Sequence, residues 1–174
     1  MVKEDKIYIS KAAENLFEQI DFADTFSTTN HEDDLETIAH KVFKFTPGWI
    51  MKLMNLRNSI VAIFGLKTEA QKDARQAYEV GAYMSFFKIL SIEENELIMG
   101  ANDSHLNFRA VVSNTGEEAY NIKVTTLVEY NNRFGRLYMT VIKLGHKMIL
   151  KSLLKRAYRD PENSQKVFLL KKKH

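Results

Sequence analysis

The C-terminal part of the chain carries one apolar stripe that is long enough to cross a small domain. Residues 133–159 place apolar or small side chains at i, i+3 and i+4 spacing, which predicts a single amphipathic helix. The stripe consists of Phe134, Leu137, Tyr138, Val141, Ile142, Gly145, Met148, Ile149, Ser152 and Leu153. At about 1.5 Å per residue such a helix is roughly 35–40 Å long. The rest of the fold must therefore offer it a broad apolar surface.

Four segments ahead of this helix alternate between apolar and polar residues, which is typical of strands. These segments are Tyr83–Glu93, Glu96–Gly100, His105–Ser113 and Tyr120–Tyr130. Clusters of turn-forming residues at 93–95, 101–104 and 114–118 separate them. In the third segment Leu106 and Phe108 share one face, while His105, Asn107 and Arg109 share the other. The pattern predicts an antiparallel sheet with one covered face and one face exposed to water.

A strand and a pair of helices are expected before these four strands. Asp21–Thr29 alternates like a strand, and residues 35–43 then place apolar side chains at helical spacing. Asp33 or Asp34 can cap that helix, and Pro47 ends it. Residues 48–64 resume the helical spacing.

Charge is distributed unevenly along the chain, although the formal net charge is only +3. Ten acids and three bases give residues 1–36 a net charge of −7, whereas twelve bases and two acids give residues 131–174 a net charge of +10. We expect the acidic beginning and the basic end to lie near each other. Nucleic-acid binding is not expected, because the lysines of the helix lack aromatic side chains on their own face. Docking on a membrane surface is disfavoured because the sheet needs the apolar stripe.

Several classes of chemistry have no support in the sequence. The chain has no Cys, and its five His, at positions 31, 40, 105, 146 and 174, form no recognised metal-binding motif. No metal or cofactor is therefore expected, and His146 is interpreted as a partly buried polar contact. No apolar stretch approaches the roughly 20 residues that cross a bilayer. Met1–Ser10 lacks the apolar core of a secretory signal, so a cytoplasmic location is expected.

Asp103, His105 and Arg109 are the candidates for catalysis or anion binding. An imidazole and a guanidinium on one strand face can hold a carboxylate or phosphate, and Asp103 could orient His105 as a base. The alternative interpretation is a polar outer face whose charges are paired. Arg133 and Arg136 lie where the helix dipole disfavours cations. We predict that Asp103 pairs with one of them, because the turn before the third strand and the helix start lie at the same end of the sheet.

The order of these elements resembles the helix-grip arrangement of the START and birch-pollen-allergen-like (SRPBCC) superfamily. Three segments are similar to one family of unknown function, DUF2867. They are residues 47–68 (PGWIMKLMNLRNSIVAIFGLKT), 100–109 (GANDSHLNFR) and 126–147 (TLVEYNNRFGRLYMTVIKLGHK). The resemblance implies an α+β fold in which a curved antiparallel sheet wraps around the C-terminal helix. It implies no established activity. We expect one domain over residues 1–174, and the Lys-rich end of the sequence predicts a flexible tail at 160–174.

A curved sheet and a long helix that do not close completely leave an apolar cavity between them. The expected lining residues are Trp49, Leu53, Tyr83, Phe87, Phe108, Tyr138 and Met148. The sequence therefore predicts a protein that binds a small hydrophobic molecule without a cofactor. Two alternatives stay open. One is an enzyme that acts on such a ligand through Asp103, His105 and Arg109, and the other is a regulatory interaction domain with a filled core.

Overall fold

The computed structural model describes residues 1–44, Gly48 and residues 75–159, and the described residues form one open sheet of seven strands. The strands are β1 (Lys3–Asp5), β2 (Phe22–Thr28), β3 (Tyr83–Met84), β4 (Phe87–Glu93), β5 (Glu96–Asn102), β6 (Leu106–Asn114) and β7 (Ile122–Tyr130). Their order in the sheet is β1-β2-β7-β6-β5-β4-β3, and every neighbouring pair is antiparallel. The predicted α+β class with an antiparallel sheet is confirmed.

The first of the four predicted strands is divided into two. Ser85 has a φ of 57°, a left-handed backbone conformation that a strand does not accommodate, and β3 and β4 pair with each other on either side of it. The side-chain amide of Gln76 binds both the N–H and the carbonyl of Ser85. The break is therefore stabilised by a contact from outside the segment.

Within residues 1–44 the structure has two short helices and one π-helical turn. The helix α1 spans Lys11–Glu14, the helix α2 spans Leu35–Ala39, and a π-helical segment, His40–Lys44, continues α2 directly. Asp34 caps α2 by accepting a hydrogen bond from the Thr37 N–H at 2.8 Å, which confirms one of the two predicted caps. The second helix predicted before the strands, residues 48–64, lies outside the described residues apart from Gly48.

The long C-terminal helix α3 spans Arg133–Leu154 and therefore ends five residues before the predicted Arg159. Its 22 residues give a length of about 33 Å. Asn132 caps it by accepting hydrogen bonds from the N–H groups of Phe134 and Gly135. The helix packs on β2, β7 and the π-helical segment, and the core buries Leu150, Leu153 and Leu154.

The apolar stripe of α3 is wider than its contact with the sheet. Met139 and Leu150 are buried, whereas Leu137, Val141 and Met148 are 59%, 65% and 63% exposed. A cylinder lying on a sheet presents only part of its circumference to that sheet, so the outer edge of a broad stripe stays in solvent. No helix of the described part of the chain is long and apolar enough to cross a membrane.

The second face of the sheet is not exposed to water, contrary to the sequence-based expectation. Residues 9–20 lie across it, and Ala13 and Phe17 belong to a cluster with Val111 and Leu127. Arg109, Lys123 and Thr125, which alternation assigns to this face, are buried as a consequence. The physical reason is that Val111 and Leu127 interrupt the polar alternation, and the N-terminal segment supplies apolar side chains that cover them.

Candidate functional site

His105 is completely buried beneath the start of α3, so its assignment to a solvent-exposed face is wrong. Its ring lies edge-on to Phe134, at 5.7 Å between centroids, and to Tyr138, at 5.0 Å. The His105 Nδ1 is 3.4 Å from the Asp103 Oδ1. The predicted Asp103–His105 contact therefore exists, but within the packing between β6 and α3.

The turn at residues 103–105 is tied to the start of α3 through the backbone. The side-chain amide of Asn131 donates to the carbonyl of Asp103 at 2.7 Å, and that of Asn132 donates to the carbonyl of Ser104 at 3.0 Å. The expectation that this turn and the helix start share one end of the sheet is confirmed. The Asp103 carboxylate accepts a hydrogen bond from the Ser104 N–H. Its pairing with Arg133 or Arg136 stays a prediction.

Arg109 points to the other face of the sheet and does not join His105. Its guanidinium lies over the Phe17 ring and donates to Asn102 Oδ1 and the Phe108 carbonyl, both at 2.8 Å. Burial lowers the pKa of Arg109, and the Glu129 carboxylate partly offsets this effect. The three predicted catalytic residues thus fall into two separate environments, and the sheet lies between the histidine and the arginine.

A different group of polar residues surrounds a pocket of about 240 Å³ beside the edge strand β3. The pocket lies between the α2–π-helical segment and the strand β3. Its polar residues include Glu36, His40, Lys44 and Tyr78, and Tyr83 and Met84 give it an apolar wall. The arrangement offers charged, neutral polar and aromatic groups to one small molecule.

Glu36 and His40 form the polar core of this pocket. They are one helical turn apart, and the His40 Nε2 is 3.6 Å from the Glu36 Oε1. The other ring nitrogen, Nδ1, is buried and has no hydrogen-bond partner among the described residues. Burial, and then the carboxylates of Glu36 and Asp34, raise the pKa of the nearby Tyr78. Its hydroxyl therefore stays protonated near neutral pH and can donate a hydrogen bond.

Two uncommon backbone features frame the pocket. His40 opens the π-helical segment, and π-helical turns within helices are rare and frequent at functional sites. On the opposite wall, Ser85 has its positive φ and is held by Gln76. Backbone strain of this kind persists where the surrounding structure fixes it, which is typical of binding sites.

The residues that the sequence assigns to a ligand cavity do not share one lining in the described structure. Tyr83 borders the pocket. Phe43, Phe87 and Phe108 form an aromatic row instead. The Phe87 ring lies edge-on to Phe43 at 5.9 Å between centroids and is tilted against Phe108 at 5.2 Å. Tyr138 contacts His105, Met148 is exposed, and Trp49 and Leu53 lie outside the described residues.

Comparison with protein families shows to which family the chain belongs. The chain matches the family described as "Protein of unknown function (DUF2867)" over residues 16–153, which is most of its length. The chain belongs to the DUF2867 family. The matched range contains the pocket, the turn at residues 103–105 and nearly all of α3 in this DUF2867 protein. The comparisons with curated proteins and with solved structures find no match.

A second histidine, His146, is partly buried and joins α3 to the sheet of the DUF2867 protein. The His146 Nε2 is 3.0 Å from the Thr126 Oγ1 and 3.3 Å from the Asp24 Oδ1. The interpretation of His146 as a partly buried polar contact is confirmed. This contact links α3 to β2 and β7.

Sequence reasoning missed Glu36 and His40, although a signal for them was present. A carboxylate and an imidazole at i, i+4 spacing on a predicted helix face each other. The pair matches no recognised metal-binding or catalytic motif, so motif patterns alone do not select it. Within the described ranges, no group of three or more His, Asp and Glu side chains is placed to hold a metal ion.

Proposed function

We propose that this protein binds a small amphiphilic molecule in the pocket between the α2–π-helical segment and β3. The polar end of the ligand would face Glu36, His40 and Tyr78, and its apolar part would lie against Tyr83 and Met84. The observation that carries the proposal is the His40 imidazole, whose buried Nδ1 faces no hydrogen-bond partner in the described structure. A buried polar atom of this kind favours a bound group that supplies the partner.

The proposed ligand site lies at one edge of the sheet, whereas the sequence predicts a ligand between the sheet and α3. Between α3 and the sheet, side chains such as Leu150, Leu153 and Phe26 are packed in one core cluster. The aromatic row of Phe43, Phe87 and Phe108 stands directly behind Met84, which pairs with Phe87 in the β3–β4 ladder.

We also propose that the protein has a helix-grip fold of the START-like superfamily and that it is located in the cytoplasm. The arrangement that supports a START-like fold is the long helix α3 on one face of an antiparallel sheet, with α2 inserted between β2 and β3. The enzyme alternative through Asp103, His105 and Arg109 loses support, because the sheet separates His105 from Arg109. The interaction domain with a filled core remains the rival hypothesis.

Native mass spectrometry of the purified chain tests the proposal. We expect a bound small molecule on the wild-type protein, and its loss from His40→Ala. The matched control is His31→Ala, which removes an imidazole outside the pocket that contacts only the Glu118 carbonyl among its described hydrogen bonds. A fluorescent fatty acid serves as a second probe for protein that has lost its ligand during purification. Neither a copurified molecule nor saturable probe binding would favour the filled interaction domain.

A further inference from the structure

The charge of Glu36 constrains which ligand the pocket beside β3 can take. Glu36 lines this pocket, and its Oε1 is 3.6 Å from the His40 Nε2, which belongs to a ring that is charged only when protonated. No lysine or arginine of the described residues lies within ion-pair distance of Glu36. Within the described structure, the carboxylate therefore has no permanent positive partner.

The neutral His40 ring also needs a hydrogen-bond donor from the ligand. The Glu36 carboxylate favours a proton on the nearer ring nitrogen, Nε2, because negative charge attracts an N–H group. The buried Nδ1 then keeps its lone pair, and it has no hydrogen-bond partner among the described residues. Two neighbouring groups of the pocket, the Glu36 carboxylate and the His40 Nδ1, are thus acceptors.

The surroundings of Tyr78 independently favour a positive ligand group. Burial, and then the carboxylates of Glu36 and Asp34, raise the pKa of Tyr78, so the two acids create a negative potential at its hydroxyl. The aromatic rings of Tyr78 and Tyr83 border the pocket, and the face of such a ring attracts a cation. A positively charged group is therefore stabilised at this end of the pocket, whereas a carboxylate is repelled.

Lys44 also lines the pocket, but it lies away from the acids. It follows Glu36 by eight residues, which corresponds to roughly 10–12 Å along the helical axis, and it is exposed. Exposed charges separated by more than about 8–10 Å are largely screened at physiological salt. The positive charge of Lys44 therefore does not compensate the negative charge of Glu36.

We propose that the ligand of this pocket is a short amphiphilic amine, an inference that rests on the function proposed above. Its ammonium group pairs with Glu36 and donates a hydrogen bond to the His40 Nδ1, and its apolar part lies against Tyr83 and Met84. An ammonium group supplies three donors and a full positive charge, so it satisfies both acceptors at once. The pocket, at about 240 Å³, is smaller than the roughly 300–1,000 Å³ of sites for drug-sized ligands, which favours a short chain.

Three probes with the same alkyl chain and different head groups test the proposal. Octylamine carries an ammonium group at neutral pH, octanoate carries a carboxylate, and octanol is uncharged. In isothermal titration calorimetry with the full chain, we expect octylamine to bind most tightly and octanoate most weakly. High salt should weaken the binding of octylamine and change that of octanol little, because salt screens the ion pair with Glu36.

Glu36→Gln removes the negative charge and preserves the shape of the side chain. It should weaken octylamine binding about tenfold, because hydrogen bonds to charged groups are stronger than those to neutral ones. Octanol should still bind to this variant, which would show that the pocket is intact. The matched control, Glu93→Gln, neutralises an exposed carboxylate at the end of β4, outside the pocket lining, and should bind octylamine like the wild type.

The outcomes separate the amine from the pocket itself. Tighter binding of octanoate than of octylamine overturns the amine proposal and leaves the proposed function in place. An unchanged octylamine affinity in Glu36→Gln, or an equal loss in Glu93→Gln, has the same meaning. If none of the three probes binds and no molecule copurifies with the chain, both the amine proposal and the proposed function are overturned.

Discussion

At the scale of single residues, two glycines of α3 lie in opposite surroundings. A Cβ atom at Gly135 would overlap the backbone carbonyl of His105, whereas a Cβ at Gly145 would meet nothing within 4 Å. Because Gly135 has no side chain, the first turn of α3 can approach the backbone ahead of β6.

We expect Gly135→Ala and Gly145→Ala to change stability in opposite directions. Gly135→Ala requires the start of α3 and the backbone of His105 to move apart, so it should lower the free energy of unfolding by about 1–3 kcal/mol. The second removes backbone freedom from the unfolded chain and should raise it by about 0.5–1 kcal/mol. Urea denaturation measures both. Equal effects of the same sign would show that the contact with His105 does not limit residue 135.

The separation of His105 from Arg109 also arises at the scale of residues. Alternation assigns both to one strand face, but β6 begins at Leu106, so His105 precedes the strand and turns toward α3. Strand boundaries are uncertain by a few residues in sequence-based prediction, and an error of one residue reverses a side chain. The Asp103–His105 contact was predictable because it depends only on closeness along the chain.

At the scale of elements, the periodic segments were predicted and the short ones were not. The strands β5, β6 and β7 and the helix α3 are long enough to show their period. The strand β1 and the helix α1 contain three and four residues, and neither completes a recognisable repeat. Contacts across the chain hold such elements in place, so the local sequence carries little information about them.

Asp5 is the residue that fixes β1 to its neighbours. Its carboxylate accepts a hydrogen bond from the Ser27 hydroxyl at 2.8 Å and lies 3.3 Å from the Lys3 Nζ and 3.5 Å from the Lys123 Nζ. Burial alone would raise its pKa, but the hydrogen bonds from Ser27 and the Lys6 backbone, with the two lysines, lower it from 3.8 to about 2.

This lowered pKa predicts a pH dependence of stability. Because Asp5 binds its proton less readily in the folded than in the unfolded chain, its contribution is complete above pH 3.8 and is lost as the pH falls toward about 2. The difference in unfolding free energy between the wild type and Asp5→Asn should therefore shrink across this range. Guanidinium denaturation at a series of pH values measures it. A difference that stays constant with pH would contradict this assignment.

At the scale of the whole molecule, the sheet is covered on both faces rather than on one. The alternating pattern of β6 and β7 predicts that one face of the sheet is exposed to water, because most residues on that face are polar. Ile9, Phe17 and Ile20 cover that face, but their irregular spacing gives no periodic signal in the sequence. The pocket was missed for a related reason, since its two walls come from segments that are distant along the chain and meet only in the fold.

Phe17→Ala should destabilise the protein, although Phe17 lies in a segment without regular structure. The ring packs on the second face and on the Arg109 guanidinium, and its loss should lower the free energy of unfolding by about 1–2 kcal/mol. Leu16→Ala is the control. The Leu16 side chain is next to Phe17 in the sequence but is exposed, so its truncation should change stability little. Thermal denaturation of the two variants measures the difference. Similar melting temperatures for both would mean that the segment contributes no packing energy.

The strand order has a consequence for how the protein behaves in concentrated solution. The two outermost strands, β1 and β3, are the shortest in the described sheet, with three and two residues, and β1 consists entirely of charged residues. A neighbouring chain that tried to extend the sheet would find few unpaired backbone groups and a row of charges. Growth into amyloid-like fibres from the folded state is therefore blocked at both ends, and aggregation requires that an end strand first detach.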